Sequence, residues 1–254
     1  IKLIFPSSCS VYGNSEDEFV DEDSIVNPLT SYSKNKIRIE DYLNSIKTEN
    51  FFPIILRLST VFGLSSRMRF DIVLNMFVGM AITSKEITLN SDGEVYRPLV
   101  DIDDVCNVIY GFIFFDKNVD NNVFNVGNNN NNIKIIDLAK KVCEYIKGTN
   151  IKSIHDENQN NVKLNLVKDS IIDQKKDFRN YRVRFDKMNK LLKGYKCETT
   201  IEKGILKMSN TFKNYNLNLS TFQNIKFYRQ QYLNFLIEKK YIDNRLKLIK
   251  NLNS

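Results

Sequence analysis

Residues 5–13 read FPSSCSVYG, and residues 30–36 read TSYSKNK. The apolar run that opens the chain, IKLIF, ends in the serine cluster of the first stretch, as a buried strand does where it reaches a polar edge. The second stretch lies within a segment whose apolar residues recur with a helical period. The two stretches therefore predict a strand over 1–7 and a helix over 28–48.

Two side chains of the second stretch have a spacing that suits acid–base chemistry. Tyr32 and Lys36 occupy positions i and i+4, which share one face of a helix. A nearby ammonium group stabilises a phenolate, so such a tyrosine can exchange protons near neutral pH. Ser8 ends the neighbouring strand, and ligands of a parallel α/β sheet bind at the carboxyl ends of its strands. These three residues form a candidate catalytic group, although a YxxxK pair alone is more often an exposed helical face.

The rest of the chain repeats the same alternation of short apolar runs and helical patterns. Further strands are predicted over 53–60 and 122–126, with helical segments between them. Strands and helices that alternate at this spacing are typical of an α/β fold with a parallel sheet. Right-handed crossovers would make these strands neighbours of strand 1–7, with the helix over 28–48 on one face of the sheet.

Composition excludes several classes of protein. The 254 residues are 42% hydrophobic and 26% charged, as in ordinary globular chains, and no apolar run reaches the ~18 residues of a membrane span. Four cysteines without a CxxC pair and a single histidine argue against a disulfide framework and a zinc site, so we expect no metal. No signal-peptide pattern opens the sequence, and we expect a cytoplasmic protein.

The complete set of motifs resembles a known family. The two opening stretches are followed by ILRLSTVFG at 55–63 and by SDGEVYRPLVDIDDV at 91–105. In this order and spacing they resemble the extended short-chain dehydrogenase/reductase family, and within it the NAD-dependent nucleotide-sugar epimerase/dehydratase branch. The resemblance covers roughly residues 1–208. It implies a Rossmann-like parallel sheet, NAD as the cofactor with NADP not excluded, and a nucleotide-diphosphate sugar as the substrate.

The resemblance assigns roles to residues near the cofactor. It implies that Tyr32 is the catalytic acid/base and that Lys36 holds the nicotinamide ribose and tunes Tyr32. Ser8 matches the serine or threonine that orients the sugar hydroxyl, so it is both a catalytic and a substrate-binding candidate. Ser59 matches the position at which a strand end meets the nicotinamide, and it is a cofactor-binding candidate together with Tyr32 and Lys36.

Three further residues are implied to bind the substrate. Thr60 falls where most members carry an asparagine that contacts the nucleotide sugar, so this contact differs here. Arg97 and Arg179 match arginines that grip the diphosphate, which suits the bidentate hydrogen bonds of guanidinium groups. We therefore expect both arginines to face one cleft. The alternative for each is a solvated surface charge.

Two other departures from the family pattern bear on the reaction. Cys9 and Ser10 follow Ser8 where 4,6-dehydratases of the family carry aspartate and glutamate. Without that pair, elimination of water from a hexose lacks its acid and its base. We therefore expect an epimerase or a keto-sugar reductase. Asp101 stands where many members have histidine.

The domain organisation follows from the resemblance. Residues 1–150 are expected to be the C-terminal part of a Rossmann-like NAD-binding domain, with substrate-binding segments interleaved at about 64–100. Residues 151–254 are expected to form a smaller C-terminal α/β substrate-binding region with a helical tail. The chain has nine glycines but no GxGxxG, GxxGxxG or P-loop motif. The family's glycine-rich turn would precede residue 1 by roughly 100 residues, at ~30 or more per βαβ unit, so we interpret the sequence as incomplete at its N-terminal side.

Two other readings of the function stay open. The chain could be a non-catalytic binding module, since relatives of this fold bind RNA and the net charge is +7. No run of basic residues interleaved with aromatic residues supports that reading, so nucleic acid is disfavoured as a partner. The chain could also be an inactive fragment of the same family. The resemblance implies a homodimer for the complete enzyme and no membrane association.

Overall fold

The computed structural model describes residues 1–15, 17–115, 121–153 and 179–249. The strands in these ranges are β1 (Lys2–Ser8), β2 (Phe52–Leu58), β3 (Thr60–Phe62), β4 (Glu86–Leu89), β5 (Tyr96–Asp101), β6 (Val123–Val126), β7 (Asn132–Lys134) and β8 (Asn150–Ser153). The helices are α1 (Ser31–Ser45), α2 (Val73–Thr83), α3 (Ile102–Ile113), α4 (Ile135–Tyr145), α5 (Asp186–Leu191), α6 (Ile201–Asn214), α7 (Leu219–Phe222) and α8 (Arg229–Glu238). This alternation confirms the predicted α/β class.

The sheet that carries the site is parallel and has the order β1-β2-β6. The strands predicted over 1–7, 53–60 and 122–126 are therefore neighbours, as expected. The central strand β2 is an apolar run with both faces covered, which is typical of a strand inside a parallel sheet. Near their carboxyl ends the strands carry polar residues in place of apolar ones. Ser7 is aligned with Arg57, and Arg57 is aligned with Asn125.

Helix α1 begins at a side-chain cap. The hydroxyl of Thr30 accepts a hydrogen bond of 3.1 Å from the backbone N–H of Ser33, and the hydroxyl of Ser33 accepts one of 3.1 Å from the backbone N–H of Thr30. Such a capping box satisfies two amide groups that a helix start leaves unpaired. From this start α1 packs on β1 and on the 3-10 helix Cys9–Tyr12 that follows it.

Two smaller sheets complete the α/β arrangement. One has the order β3-β5-β7, in which β5 and β7 are antiparallel, and the other pairs β4 with β8 in parallel. Asp101 caps α3 by accepting a hydrogen bond of 2.8 Å from the N–H of Asp103. From the sequence DDVCNVIYGFIFF at 103–115 we predict Asp103 or Asp104 as the cap, and the structure corrects this to Asp101. Any of three aspartates within four positions satisfies the preference of a cap, and the end of β5 selects Asp101.

Part of the segment that follows α6 packs into the largest apolar core of the described residues, through Leu217, Phe222, Phe227 and Tyr228. This core is shared by α2, α4 and α6, and it includes Phe222 of α7. The ring of Phe222 lies so close to Gly79 of α2 that an added Cβ would be 2.3 Å from it. The predicted domain boundary near residue 150 stays a prediction, because 154–178 lie outside the described residues.

None of the helices in the described ranges combines the length and apolar character needed to cross a bilayer. Within the same ranges, no group of three or more histidine, cysteine, aspartate or glutamate side chains is placed to hold a metal ion.

Candidate active site

Ser8 is the last residue of β1 and is half-buried. Its side-chain oxygen accepts a hydrogen bond of 3.2 Å from the backbone N–H of Ser10, where the chain turns into the 3-10 helix. A serine hydroxyl is both a donor and an acceptor, so the hydroxyl proton is not used by this bond. The turn thus fixes the oxygen of Ser8 at the carboxyl end of the sheet, as the sequence predicted.

Lys36 reaches from α1 to the same end of β1. Its Nζ donates a hydrogen bond of 2.6 Å to the carbonyl oxygen of Pro6. The Nζ atom also lies 4.7 Å from the ring centroid of Phe5 and 5.5 Å from that of Tyr32. Burial lowers the pKa of Lys36, and the carboxylate of Glu40 opposes that effect. The ammonium group is thereby held at one place beside the tyrosine.

Tyr32 lies one turn before Lys36 and is 55% exposed. Its phenol is therefore open to a ligand that approaches the end of the sheet. The structure brings Tyr32 and Lys36 together. It also places the ammonium group of Lys36 against Pro6 of β1, two residues before Ser8. A direct approach of the Tyr32 hydroxyl to Ser8 stays a prediction.

Ser59 and Thr60 follow directly after β2. The N–H of Ser59 donates a hydrogen bond of 3.0 Å to the carbonyl of Val126, and its hydroxyl is buried beside Gly127. In this conformation the hydroxyl of Ser59 faces the interior of the protein. Thr60 is half-buried at the start of β3, aligned with Leu99 of β5. The cofactor and substrate contacts assigned to the two residues stay predictions.

Arg97 and Arg179 are neighbours despite a separation of 82 positions. The guanidinium of Arg97 donates to the carbonyl of Arg179 and, over 2.7 Å, to the carbonyl of Tyr96. It also lies 5.8 Å from the ring centroid of Tyr181. Arg97 is only 7% exposed, so the alternative of a solvated surface charge is wrong for it. Convergence of both side chains on one cleft stays a prediction.

The sequence reasoning missed a buried ionic network beneath the site. Glu40 of α1 is 3% exposed and Arg57 of β2 is 7% exposed, and Arg57 Nη2 lies 2.8 Å from Glu40 Oε2. Ser7 donates a hydrogen bond to the other carboxylate oxygen of Glu40. On its far side Arg57 donates over 3.1 Å to the hydroxyl of Tyr12, which donates over 2.8 Å to Asn125. Burial acts to lower the pKa of Arg57, but its hydrogen bonds to Glu40 act in the opposite direction, and the net effect is a raised pKa. The guanidinium therefore stays charged.

Two signals in the sequence point to this network in retrospect. Glu40 continues the four-residue spacing of Tyr32 and Lys36, so all three belong to one face of α1. Arg57 interrupts the apolar run of a central strand, where a charge needs a buried partner.

Cys9 and Ser10, at the positions that differ from the family's dehydratases, both point into the core. Cys9 is buried, and its thiol donates over 3.1 Å to the carbonyl of Arg57. Burial raises the pKa of this thiol, so it stays protonated. The hydroxyl of Ser10 is also buried. Neither group offers an acid or a base to a ligand at the end of the sheet.

Comparison with known proteins agrees with this fold. The model of the NAD dependent epimerase/dehydratase family matches residues 1–127, which is half of the chain. The chain therefore belongs to the NAD dependent epimerase/dehydratase family.

The individual relatives include both kinds of enzyme in the family name. The chain is 27% identical over 160 residues to an ADP-L-glycero-D-manno-heptose-6-epimerase of Brachyspira hyodysenteriae, covering 61% of this chain and 49% of the relative. It is 26% identical over 207 residues to the mouse dTDP-D-glucose 4,6-dehydratase, covering 81% of this chain and 54% of the relative. The chain thus spans about half the length of the curated relatives it matches.

Solved structures share the fold. UDP-glucuronic acid 4-epimerase from Bacillus cereus, in complex with UDP-glucuronic acid and NAD, superposes with a TM-score of 0.66 at 21% identity, covering 84% of this chain and 62% of that one. UDP-glucose 4-epimerase from Thermotoga maritima gives a TM-score of 0.66 at 23% identity, covering 85% and 64%. These likenesses confirm the Rossmann-like α/β fold.

Proposed function

We propose that this chain supplies the acid–base and sugar-binding part of an NAD-dependent epimerase, or keto-sugar reductase, that acts on a nucleotide-diphosphate sugar. One observation carries the proposal. Lys36 is bound to the end of β1 and lies beside the exposed ring of Tyr32, which is the pairing that proton transfer to and from a sugar hydroxyl requires.

The residues at this edge suit a nicotinamide cofactor. An ammonium group has three N–H donors, and the carbonyl of Pro6 takes one from Lys36, so the others can bind the hydroxyls of a ribose. NAD, when bound, would supply an acceptor for a hydride from a sugar carbon and a source for its return. The sequence contains no glycine-rich turn to hold the pyrophosphate, so the cofactor contacts proposed for this chain are those of Lys36, Tyr32 and Ser59 near the nicotinamide ribose.

The residues of the chain would divide the proton chemistry between them. Tyr32, as phenolate, would take the proton of a sugar hydroxyl while the C–H bond of the same carbon would pass its hydride to bound NAD, which leaves a carbonyl on the sugar. Lys36 stabilises the phenolate by its positive charge. Ser8 orients the reacting oxygen by a hydrogen bond. In the reverse step Tyr32 returns the proton to the oxygen.

The burial of Cys9 and Ser10 favours an epimerase or reductase over a dehydratase. Elimination of water needs one group to protonate the leaving hydroxyl and another to remove a proton from carbon. In this chain a protonated thiol and a hydroxyl stand at those positions, and both face the core. An epimerase needs neither group, because the keto sugar has only to turn and accept the hydride on its other face.

The two neighbouring arginines support a diphosphate in the substrate. A guanidinium has five N–H donors, and Arg97 spends some of them on the carbonyls of Tyr96 and Arg179. These bonds fix the plane of the Arg97 guanidinium, and a guanidinium that is already fixed loses little conformational entropy when it meets phosphate oxygens. Arg179 would add a second positive charge to the same substrate group.

The product distribution tests this function. A polypeptide that joins an N-terminal glycine-rich segment of the family to this chain would be incubated with NAD and a panel of nucleotide-diphosphate hexoses and hexuronates, followed by proton NMR. Conversion of a sugar to its epimer, with no net NADH, is the expected result. A 4-keto-6-deoxy sugar would identify a dehydratase instead, and absence of both product and binding across the panel would reject the proposal.

A further inference from the structure

We infer that Glu40 is a positioning residue of the candidate active site: its buried carboxylate, held by Arg57 and Ser7, fixes Lys36 against the end of β1 beside Tyr32. The inference rests on the proposed roles of Tyr32 and Lys36. It extends them to a residue that touches neither cofactor nor substrate.

The contacts between α1 and β1 are matched residue by residue. Lys36 and Glu40 are one turn apart on α1, and their partners Pro6 and Ser7 are adjacent on β1. Lys36 donates to the carbonyl of Pro6, and Glu40 accepts from the hydroxyl of Ser7. Two contacts at adjacent positions fix both the height and the rotation of a helix on a strand, so the direction in which α1 presents Tyr32 is fixed as well.

The far side of Glu40 is anchored to the remaining strands. Its carboxylate accepts hydrogen bonds of 2.8 and 3.1 Å from Arg57 of β2, which is aligned with Ser7 of β1 and with Asn125 of β6. Arg57 also reaches Asn125 through the hydroxyl of Tyr12. The network therefore links all three parallel strands to α1, one residue before β1, β2 and β6 end.

Stability alone is a weak reason for an ion pair at this place. Removing two charges from water is costly, and in other proteins apolar residues of similar volume replace buried pairs without loss of stability. A carboxylate does one thing here that an apolar side chain cannot do. It places a negative charge one helical turn from Lys36, where burial disfavours the ammonium form.

Among the described residues packed around Lys36, no charged group other than Glu40 offsets the effect of burial on its pKa. On β1 the lysine faces the Pro6 carbonyl and the Phe5 ring, which carry no net charge, and on α1 it faces Tyr32. Arg57 meets the opposite side of Glu40. Among the described residues, the carboxylate of Glu40 is thus the charged group that opposes the effect of burial on the pKa of Lys36.

The experiment measures the titration of Lys36 directly in the chain of residues 1–254. The protein is labelled with [¹³Cε]lysine, the Cε signals are followed by NMR as pH is raised, and Lys36→Arg identifies the signal of Lys36. Neither cofactor nor substrate is present. A positive result together with an inactive enzyme would therefore reject the proposed function while the inference about Glu40 stands.

The main variants separate the charge of Glu40 from its contribution to folding. Glu40→Gln keeps the shape of the side chain but removes its charge, and it leaves Arg57 buried without a carboxylate, which lowers stability. The double variant Glu40→Gln/Arg57→Met removes both charges and should regain part of the lost stability. We expect the pKa of Lys36 to shift downward in both variants, because burial then acts without opposition.

Two controls complete the design. Tyr12→Phe weakens the far end of the network but keeps the carboxylate of Glu40, and Glu202→Gln removes a partly buried ion pair with Lys141 elsewhere. Both should leave the titration of Lys36 unchanged. An unchanged Lys36 in Glu40→Gln, a return to the wild-type pKa in the double variant, or an equal shift in Tyr12→Phe would overturn the inference. If neither Glu40 variant folds, the pair serves the fold itself and the positioning role is rejected.

Discussion

The Nζ atom of Lys36 donates a hydrogen bond of 2.6 Å to the carbonyl oxygen of Pro6. This bond joins α1 to the end of β1 and holds the ammonium group 5.5 Å from the ring centroid of Tyr32. A free lysine side chain would lose rotamer freedom each time a ligand bound to it. In this structure that freedom is already restricted, so the ligand contacts proposed for Lys36 would cost less conformational entropy.

Replacing Lys36 by methionine should weaken cofactor binding and shift the pH profile. In a polypeptide that also carries the glycine-rich segment, loss of the ammonium should raise the Kd for NAD by about 10- to 100-fold, the usual worth of hydrogen bonds to a charged group. The acidic limb of the pH–rate profile should move to higher pH, because the phenolate of Tyr32 loses its stabilising charge. Calorimetry and initial rates measure the two effects.

The exposed Lys34 of α1 provides the matched control. Lys34→Met removes the same charge two positions away, on another face of the helix, and should change neither the Kd nor the profile. Equal effects of the two variants would show that general charge, and not the position of Lys36, is responsible.

Arg97 should matter for the diphosphate and not for the nucleoside. Arg97→Met is expected to weaken binding of the nucleotide-diphosphate sugar by about 10- to 100-fold, since bidentate bonds to phosphate are lost. Arg97→Lys should give an intermediate loss, because lysine keeps the charge without the planar fork. Neither Arg97 variant should change binding of the free nucleoside. Lys140→Gln, on the surface of α4, is the control and should bind the nucleotide-diphosphate sugar as the wild type does.

Calorimetry with both ligands decides this prediction, after thermal melts have shown that each variant folds. A parallel loss of nucleoside affinity in Arg97→Met would mean that Arg97 supports the shape of the site and does not hold phosphate.

The contact between Gly79 and Phe222 should couple the C-terminal tail to the core. Gly79→Ala adds a Cβ 2.3 Å from the ring of Phe222 and should cost about 1–3 kcal/mol of unfolding free energy, as over-packing of a core does. Phe222→Ala should cost about 3–5 kcal/mol. In the double variant the clash is absent, so the total loss should be smaller than the sum. Urea unfolding measures all three, and strict additivity would contradict the contact.

The sequence predicted the parallel sheet because its signals are local. The apolar runs that became β1, β2 and β6 are short and continuous, and chirality leaves few ways to connect them. The pairing of Tyr32 with Lys36 followed from the period of one helix. Both predictions depend on neighbours along the chain, which a single sequence shows directly.

The features of the site that the sequence did not predict depend on contacts between elements that are distant along the chain. Glu40 and Arg57 meet only because α1 crosses the sheet, and no pattern in either segment names the other as its partner. The bond from Arg97 to the carbonyl of Arg179 joins a side chain to a main chain, which leaves no mark on the residue type at 179. The inward direction of the Ser59 hydroxyl depends on the close approach of Gly127, a contact that only the fold determines.

The central claim is that Tyr32 moves the proton of the sugar hydroxyl, and Tyr32→Phe tests it most directly. The variant lacks only the hydroxyl, so binding of the nucleotide sugar should be nearly intact while kcat falls roughly 10²- to 10⁴-fold, the usual worth of positioned acid–base catalysis. Tyr42→Phe on the exposed side of the same helix is the matched control and should turn over normally.

The decisive measurement is the kcat of Tyr32→Phe with a saturating nucleotide-diphosphate sugar and NAD, in the polypeptide that also carries the glycine-rich segment. The account predicts a loss of at least about 10²-fold, with an unchanged Kd for the sugar measured by calorimetry. Wild-type turnover by Tyr32→Phe would contradict it, because proton transfer would then not depend on the phenol.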